Sequence, residues 1–302
     1  MDPTILWVPA TLIASAGQVA RNAMQRRLTE TIGTVGATQV RFLYGFPFSL
    51  IFLAGMLFVS GERLPAPGPG FAPFILLGAL TQILATGLML AAMRQRSFSV
   101  VTALLKTEAV QIAVFGLVVL GDRLPPLAIG AILLATLGVV LVTWNPRTAG
   151  DIRSGGLLPV ALGLAAGAMF ALSAVGFRGA ILNLETGSAF LRATTALAWS
   201  LFLQTGILMT WLVAFDRPAL LGSFREWRSS LAAGFVGAAA SQFWFIGFAL
   251  TAAANVRTLA LVEVLMAQVV SRRVFAQAPS RREMLGMGLI VLGVIGILAT
   301  AH

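Results

Sequence analysis

Lys106, Glu108 and Glu263 are ionisable side chains set in stretches that are otherwise almost wholly apolar. An ionised group at the centre of a membrane helix costs about 2.5–3.5 kcal/mol on insertion scales, so it faces a protein interior or a wet cavity and marks a binding or relay site. A carboxylate there can hold an amino group or carry a proton, and the ammonium can hold a carboxylate. Lys106 and Glu108 lie two residues apart and point to different sides of a helix. Each therefore needs a partner on another helix, unless the glutamate is protonated. The plainer alternative is an ion-pair network where the helices carrying Glu108 and Glu263 cross. Gln111 shares the face of Glu108, one turn further on.

A second constellation is uncharged. Thr11, Ser15, Gln18, Asn22 and Gln25 recur at spacings of 4, 3, 4 and 3, which lines them along one face of a helix. Such a stripe meets either a protein interior or an aqueous cavity. Inter-helix hydrogen bonds contribute only about 0.6 kcal/mol each, and five aligned polar residues exceed what joining two helices requires. The stripe reads as a cavity wall.

The elements that must position these groups follow from composition. Of 302 residues, 58% are hydrophobic and 11% charged, whereas a soluble domain carries about a quarter charged. Residues 71–93, 156–177 and 289–301 hold no charge at all. Runs of this kind span a hydrocarbon core of ~30 Å as helices, because inside lipid every backbone amide needs an internal partner. Turn and charge punctuation predicts ten spans, near 3–26, 34–60, 71–93, 97–120, 124–143, 156–179, 187–214, 228–251, 255–275 and 282–300. The fold class is all-α, a polytopic membrane protein. The first span reads as uncleaved, since no basic region precedes Ala14-Ser15-Ala16.

The odd-numbered loops carry thirteen arginines against four on the even loops, Arg63, Arg123, Arg178 and Arg257. Basic loops stay cytoplasmic, which puts the odd loops inside and both termini outside. The net charge of +10 is scattered in ones and twos at helix ends, without the clustered footprint of a nucleic-acid binder. The chain has no cysteine and its one histidine is terminal, so thiol chemistry and Cys- or His-based metal sites are not expected.

The sequence also repeats itself. Thr81-Gln82-x4-Gly87-x2-Leu90 matches Ser241-Gln242-x4-Gly247-x2-Leu250 at an offset of 160. Glu108 matches Glu263, and Leu137-Gly138-Val139 matches Leu292-Gly293-Val294, both at 155; Arg41 matches Arg192 at 151. Five spans per half is an odd number, so the second half enters the membrane upside down. Residues 1–146 and 156–302 are then inverted repeats joined by a linker at 147–155, an arrangement that places a site near the midplane. The register maps the polar face of the first helix onto a mostly apolar face of the sixth, carrying Met169 and Ser173, with Trp244 beside Gln242 on the eighth. The cavity candidates are Gln18, Asn22, Gln82, Lys106, Glu108, Gln111, Met169, Ser173, Gln242, Trp244 and Glu263. One polar wall and one apolar wall suit a zwitterion with an apolar side chain. Arg41 and Arg192, near helix starts, are gate or orientation residues that can snorkel.

Arg41-Phe42 early in the second helix, Ala92 ending the third, Glu108 within the fourth and Leu120-Gly121-Asp122-Arg123-Leu124 before the fifth resemble a known pattern. It is that of the ten-helix EamA-type branch of the drug/metabolite transporter superfamily, and the resemblance covers nearly the whole chain. Ala109 and Val264 stand where a proline often follows the glutamate in that family, and Phe275-Ala276-Gln277 replaces an acidic turn. The resemblance implies a secondary transporter or facilitator in a bacterial inner membrane, exporting small metabolites by alternating access. Neutral or aromatic amino acids are the leading substrates. Efflux of lipophilic cations or phosphorylated metabolites is the alternative, and a membrane scaffold without transport is another class. No phosphate-binding loop or catalytic constellation is visible, so an enzyme is not expected. The implied partners are a small-molecule substrate, the lipid bilayer and a proton as coupling ion, in a monomer or homodimer, with no cofactor.

Overall fold

The computed structural model describes residues 5–95, 101, 104–143, 157–265 and 280–300. Every regular element among them is helical, apart from one isolated antiparallel bridge between Pro67 and Leu184. The chain opens with α1 (Trp7–Leu43), which is two helices joined at Gly33. There φ is +71°, a conformation open to glycine and costly for other residues. The first span therefore runs past Arg26-Arg27 as far as Gly33. Then come α2 (Gly45–Ser60), α3 (Phe71–Gln95) and α4 (Glu108–Phe115), which continues as a π turn over Gly116–Leu120. The remainder is α5 (Pro126–Thr143), α6 (Leu158–Leu182), α7 (Ala189–Phe215), α8 (Arg217–Arg225), α9 (Trp227–Leu250), α10 (Ala253–Leu259) and α11 (Arg281–Thr300).

Local chemistry sets these limits. Ser188 caps α7 by accepting the Leu191 amide (3.4 Å), and Asp216 caps α8 by accepting that of Ala219 (3.1 Å). Ser280 and Glu283 form a reciprocal capping box at the start of α11. Helix α8 forms in what the sequence suggests is the seventh loop. The linker 147–155 and Phe275-Ala276-Gln277 lie outside the described residues.

Six helices among the described residues are long and apolar enough to cross a membrane, and two shorter apolar ones accompany them. Polarity is arranged for lipid. Phe58, Val59 and Val118 are 90%, 82% and 76% exposed, while Arg21, Gln25, Gln39 and Gln204 are buried.

The three most extensive helix contacts are α3 with α6, α5 with α11 and α1 with α9, and α2 also meets α7 and α4 meets α10. Exchanging the two halves turns α3–α6 into α1–α9 and each of the others into itself, as a pseudo-two-fold axis requires. Close contacts repeat the relation. A Cβ on Gly138 would lie 2.6 Å from the Gly286 carbonyl oxygen, and one on Gly293 would lie 2.6 Å from that of Ala131. At the offset of 155 these are the same contact made twice.

Candidate functional site

Two helices are interrupted at equivalent places. Before α4 the chain turns at Lys106-Thr107, where the Ala109 amide donates to the Lys106 carbonyl (3.4 Å). After α10 it turns at Ala260-Leu261, where the Val264 amide donates to the Leu261 carbonyl (3.0 Å). Both are i→i−3 bonds, a tightening that marks a hinge or a strained turn inside a helix. They stand the same 155 residues apart as Glu108 and Glu263. A proline at 109 or 264 would remove the donor; alanine and valine keep it. Gly163 and Gly167 of α6 let that helix meet the first interruption, since a Cβ on Gly163 would come within 2.8 Å of Leu104.

The interruptions set four charges facing one another. Glu263 pairs with Lys106, and Arg257 Nε lies 2.9 Å from Glu108 Oε1. The Arg257 N–H is not aimed along that line, so the second contact is an ion pair without a hydrogen bond. The Arg257 guanidinium also lies 4.1 Å from the centroid of the Trp244 ring, a cation–π distance. Each glutamate thus takes its base from the other half of the chain.

Beside these pairs is a cavity, polar on the side of Gln18, Arg21, Asn22, Lys106, Glu108 and Glu263 and apolar at Val19, Met89, Leu105 and Phe170. It leaves the centre of a water molecule about 40 Å³ of room. That suffices for roughly three waters, and not for an amino acid with a large side chain.

Arg21 is 1% exposed. Its Nε and Nη2 donate to Asn22 Oδ1 (3.2 and 2.9 Å), and its Nη1 is buried with no hydrogen-bond partner. Arg41 is buried as well and donates from Nη1 to Thr86 Oγ1 (2.8 Å). Both arginines lie against Gly237 of α9, whose Cβ would stand 3.2 Å from Arg21 Cδ and 3.9 Å from Arg41 Cγ.

Of the residues expected at the cavity, Gln18, Asn22, Lys106, Glu108 and Glu263 line it. The others are used elsewhere. Gln82 accepts from Gln204 Nε2 (2.8 Å), and Gln242 donates to Thr194 Oγ1 (2.7 Å), so these repeat equivalents both tie onto α7. Gln111 turns towards Thr107, Ser173 donates to the Phe170 carbonyl, and Met169 packs on a buried cluster that includes Met89 and Phe170. Trp244 supports Arg257. Arg192 is half-buried in the first turn of α7, and its Nε has no partner among the described residues. The five-residue stripe divides: Thr11 donates to the Trp7 carbonyl and Gln25 to that of Ala37, Ser15 is buried away from the cavity, and Gln18 and Asn22 line it.

Three sequence expectations are corrected. Arg41 does not snorkel, because its guanidinium is held inside the bundle by Thr86. Arg257 is not a loop residue; it is a buried member of α10, paired with Glu108. Arg178 lies within α6, with Nε 3.3 Å from Asp122 and Nη1 donating to the carbonyls of Phe248 and Thr251. Arg21 was legible but unassigned: Gln18, Arg21, Asn22 and Gln25 are spaced as one helical face.

The side of the molecule bearing the even loops is laced shut. The Gly68 amide donates to the Asn183 carbonyl (2.8 Å), and the Glu185 amide to that of Ala66 (3.0 Å), on either side of the Pro67–Leu184 bridge. Glu62 Oε2 accepts the Ser188 amide (2.7 Å). Arg178 ties the fourth loop, through Asp122, to the end of α9.

An all-helical chain of two repeats, apolar outside and with paired charges buried where two interrupted helices cross, has the architecture of a multi-pass membrane transporter. The chain belongs to the EamA-like transporter family, which matches residues 5–144 and 157–299. It is accordingly a membrane transporter of small solutes, in a class of transporters and not of enzymes. A solved structure described as "Crystal structure of protein" is similar over 99% of this chain and 98% of its own, with a TM-score of 0.66 at 16% identity. It shares the fold. No curated protein matches the chain.

Proposed function

We propose that the protein is a secondary transporter or facilitator that moves small metabolites by alternating access, with the small cavity beside Lys106, Glu108 and Glu263 as its site. Residues 1–146 and 156–302 act as its inverted halves. One observation carries the reading: both ion pairs bridge the halves at equivalent helix interruptions, directly beside the cavity. Charges placed there can re-pair as the halves rock, and interrupted helices at a repeat interface are where transporters bind their substrates. The lacing of the even loops supports a form shut on that side.

Lipophilic cations fit this site poorly, because both carboxylates at the cavity already have partners. A large neutral amino acid would find an apolar wall in Met89 and Phe170 once the cavity opened. The test is flux into proteoliposomes over a panel of labelled amino acids and organic ions, with and without a pH gradient, for wild type and Glu108→Gln. Wild type moves at least one solute, and the variant loses most of that flux while its folded yield is kept. Equal flux from Glu108→Gln at every pH would refute the assignment of the site.

A further inference from the structure

We propose that the substrate of this cavity is an organic anion, a carboxylate or a phosphate ester, and that the Arg21 guanidinium is the group that binds it. The inference rests on the cavity being the transport site. It starts from a charge imbalance. Arg21 and Lys106 line the cavity, Arg41 and Arg257 are buried in the same interior, and among the described residues only two buried carboxylates answer these four charges. Glu108 and Glu263 are the only buried acidic residues among the described ones. Both are already taken, by Arg257 and Lys106. Neither Arg21 nor Arg41 has an ion pair among the described residues.

A guanidinium does not shed its proton to relieve such a position. An unpaired buried charge is strongly destabilising, so Arg21 lowers the stability of the empty protein. Its placement suits a ligand. Asn22 Oδ1 takes Nε and Nη2 and fixes the plane of the fork, Nη1 is buried with no hydrogen-bond partner, and the residue lines the cavity. A fork held in this way matches the paired oxygens of a carboxylate or phosphate. Gly237 opens the space the arginine needs, because a side chain there would press on its Cδ. A neutral amino acid would offer Arg21 its carboxylate but bring an ammonium to a site with no free acid. A net anion would balance what the protein leaves uncompensated.

A purely structural arginine and an anion-binding one respond oppositely to truncation, and this decides the experiment. Thermal unfolding of the full-length protein in detergent is measured alone and with succinate, glycerol 3-phosphate, phenylalanine or tetraphenylphosphonium. Counterflow of the same four probes is followed in proteoliposomes. Succinate or glycerol 3-phosphate stabilises the wild type, and whichever does so identifies the carboxylate or the phosphate as the recognised group. Phenylalanine acts more weakly and tetraphenylphosphonium not at all. In Arg21→Met the anion shift disappears and anion counterflow falls on the order of tenfold or more, while the unfolding temperature without solute equals or exceeds that of wild type. Arg21→Lys is intermediate, and Arg63→Gln, at an exposed position, changes nothing.

Stabilisation by neither anion overturns the inference. So does an Arg21→Met protein that loses stability without solute yet keeps its anion shift. If Arg21→Met yields no folded protein, Arg21→Lys decides, and an undiminished anion shift in it overturns the proposal. Arg21-dependent anion binding without movement of any probe would sustain the inference and sink the transport reading. Movement of phenylalanine or tetraphenylphosphonium without anion binding would do the reverse.

Discussion

Glu108 and Glu263 are related by the internal repeat, yet they meet different bases in different surroundings. Glu263 holds Lys106 at the cavity wall, and Glu108 faces an Arg257 that is stacked over Trp244. Breaking a buried pair by removing one partner costs about 3–5 kcal/mol, because the other charge is left stranded. Lys106→Met and Glu263→Gln should each lower the unfolding free energy by about that much, and the double variant should recover most of it. Strictly additive losses in the thermal unfolding of the three proteins would show that the pair does not couple. The glutamates and Lys106 could be picked out by type, since charges in apolar stretches are conspicuous. Their partners could not, because each pair joins residues more than a hundred positions apart. Arg257 was missed for a nearer reason. It is the fifth residue of a short new helix, where one arginine after a polar turn looks like a loop charge. Its apolar flanks, Ala252-Ala253-Ala254 and Leu259-Ala260-Leu261, were the signal that could have corrected this.

Proline, glycine and charge clusters mark most of the helix limits, and these were readable along the chain: Gly61 and Gly121 take positive φ where the second and fourth spans end. The interruptions at Lys106-Thr107 and Ala260-Leu261 carry neither proline nor glycine, so nothing local announces them. They follow from packing, where α6 comes close at Gly163 and Gly167 and four charges must converge. Helix α8 escaped for a similar reason, since a nine-residue segment with an arginine at each end reads as a loop until Asp216 caps it. The glycines of α11 allow a direct check of close packing. A Cβ on Gly286 would stand 2.6 Å from the Gly138 carbonyl oxygen, whereas Gly288, two residues on, has nothing within 4 Å. Gly286→Val should therefore cost about 1–3 kcal/mol or prevent folding, and Gly288→Val should be tolerated. Monodisperse yield and unfolding temperature distinguish the two; equal behaviour would mean that α5 and α11 do not pack in this way.

The whole molecule was the most legible scale, because composition and a weak repeat already require a helical membrane protein in two related halves. The contact pattern adds what no spacing could, namely which helix of one half meets which of the other. With Arg257 buried in α10, Arg63, Arg123 and Arg178 are the even-loop arginines left at that face, against the thirteen that the sequence assigns to the odd loops. A C-terminal reporter active only in the cytoplasm should then be silent, and strong signal from full-length fusions would reverse the assignment. Alternating access makes a further demand, that the laced even side must open. Pro67 and Leu184 face each other as an antiparallel pair flanked by two backbone hydrogen bonds. Such a narrow pair has Cα atoms about 4.5 Å apart, within reach of a disulfide. The native chain has no cysteine to interfere. The direct measurement is solute flux through the Pro67→Cys/Leu184→Cys protein in proteoliposomes, oxidised and then reduced. Flux should be lost on oxidation and return on reduction, with both single-cysteine proteins active throughout; equal flux with the disulfide closed and open would contradict transport by alternating access through this cavity.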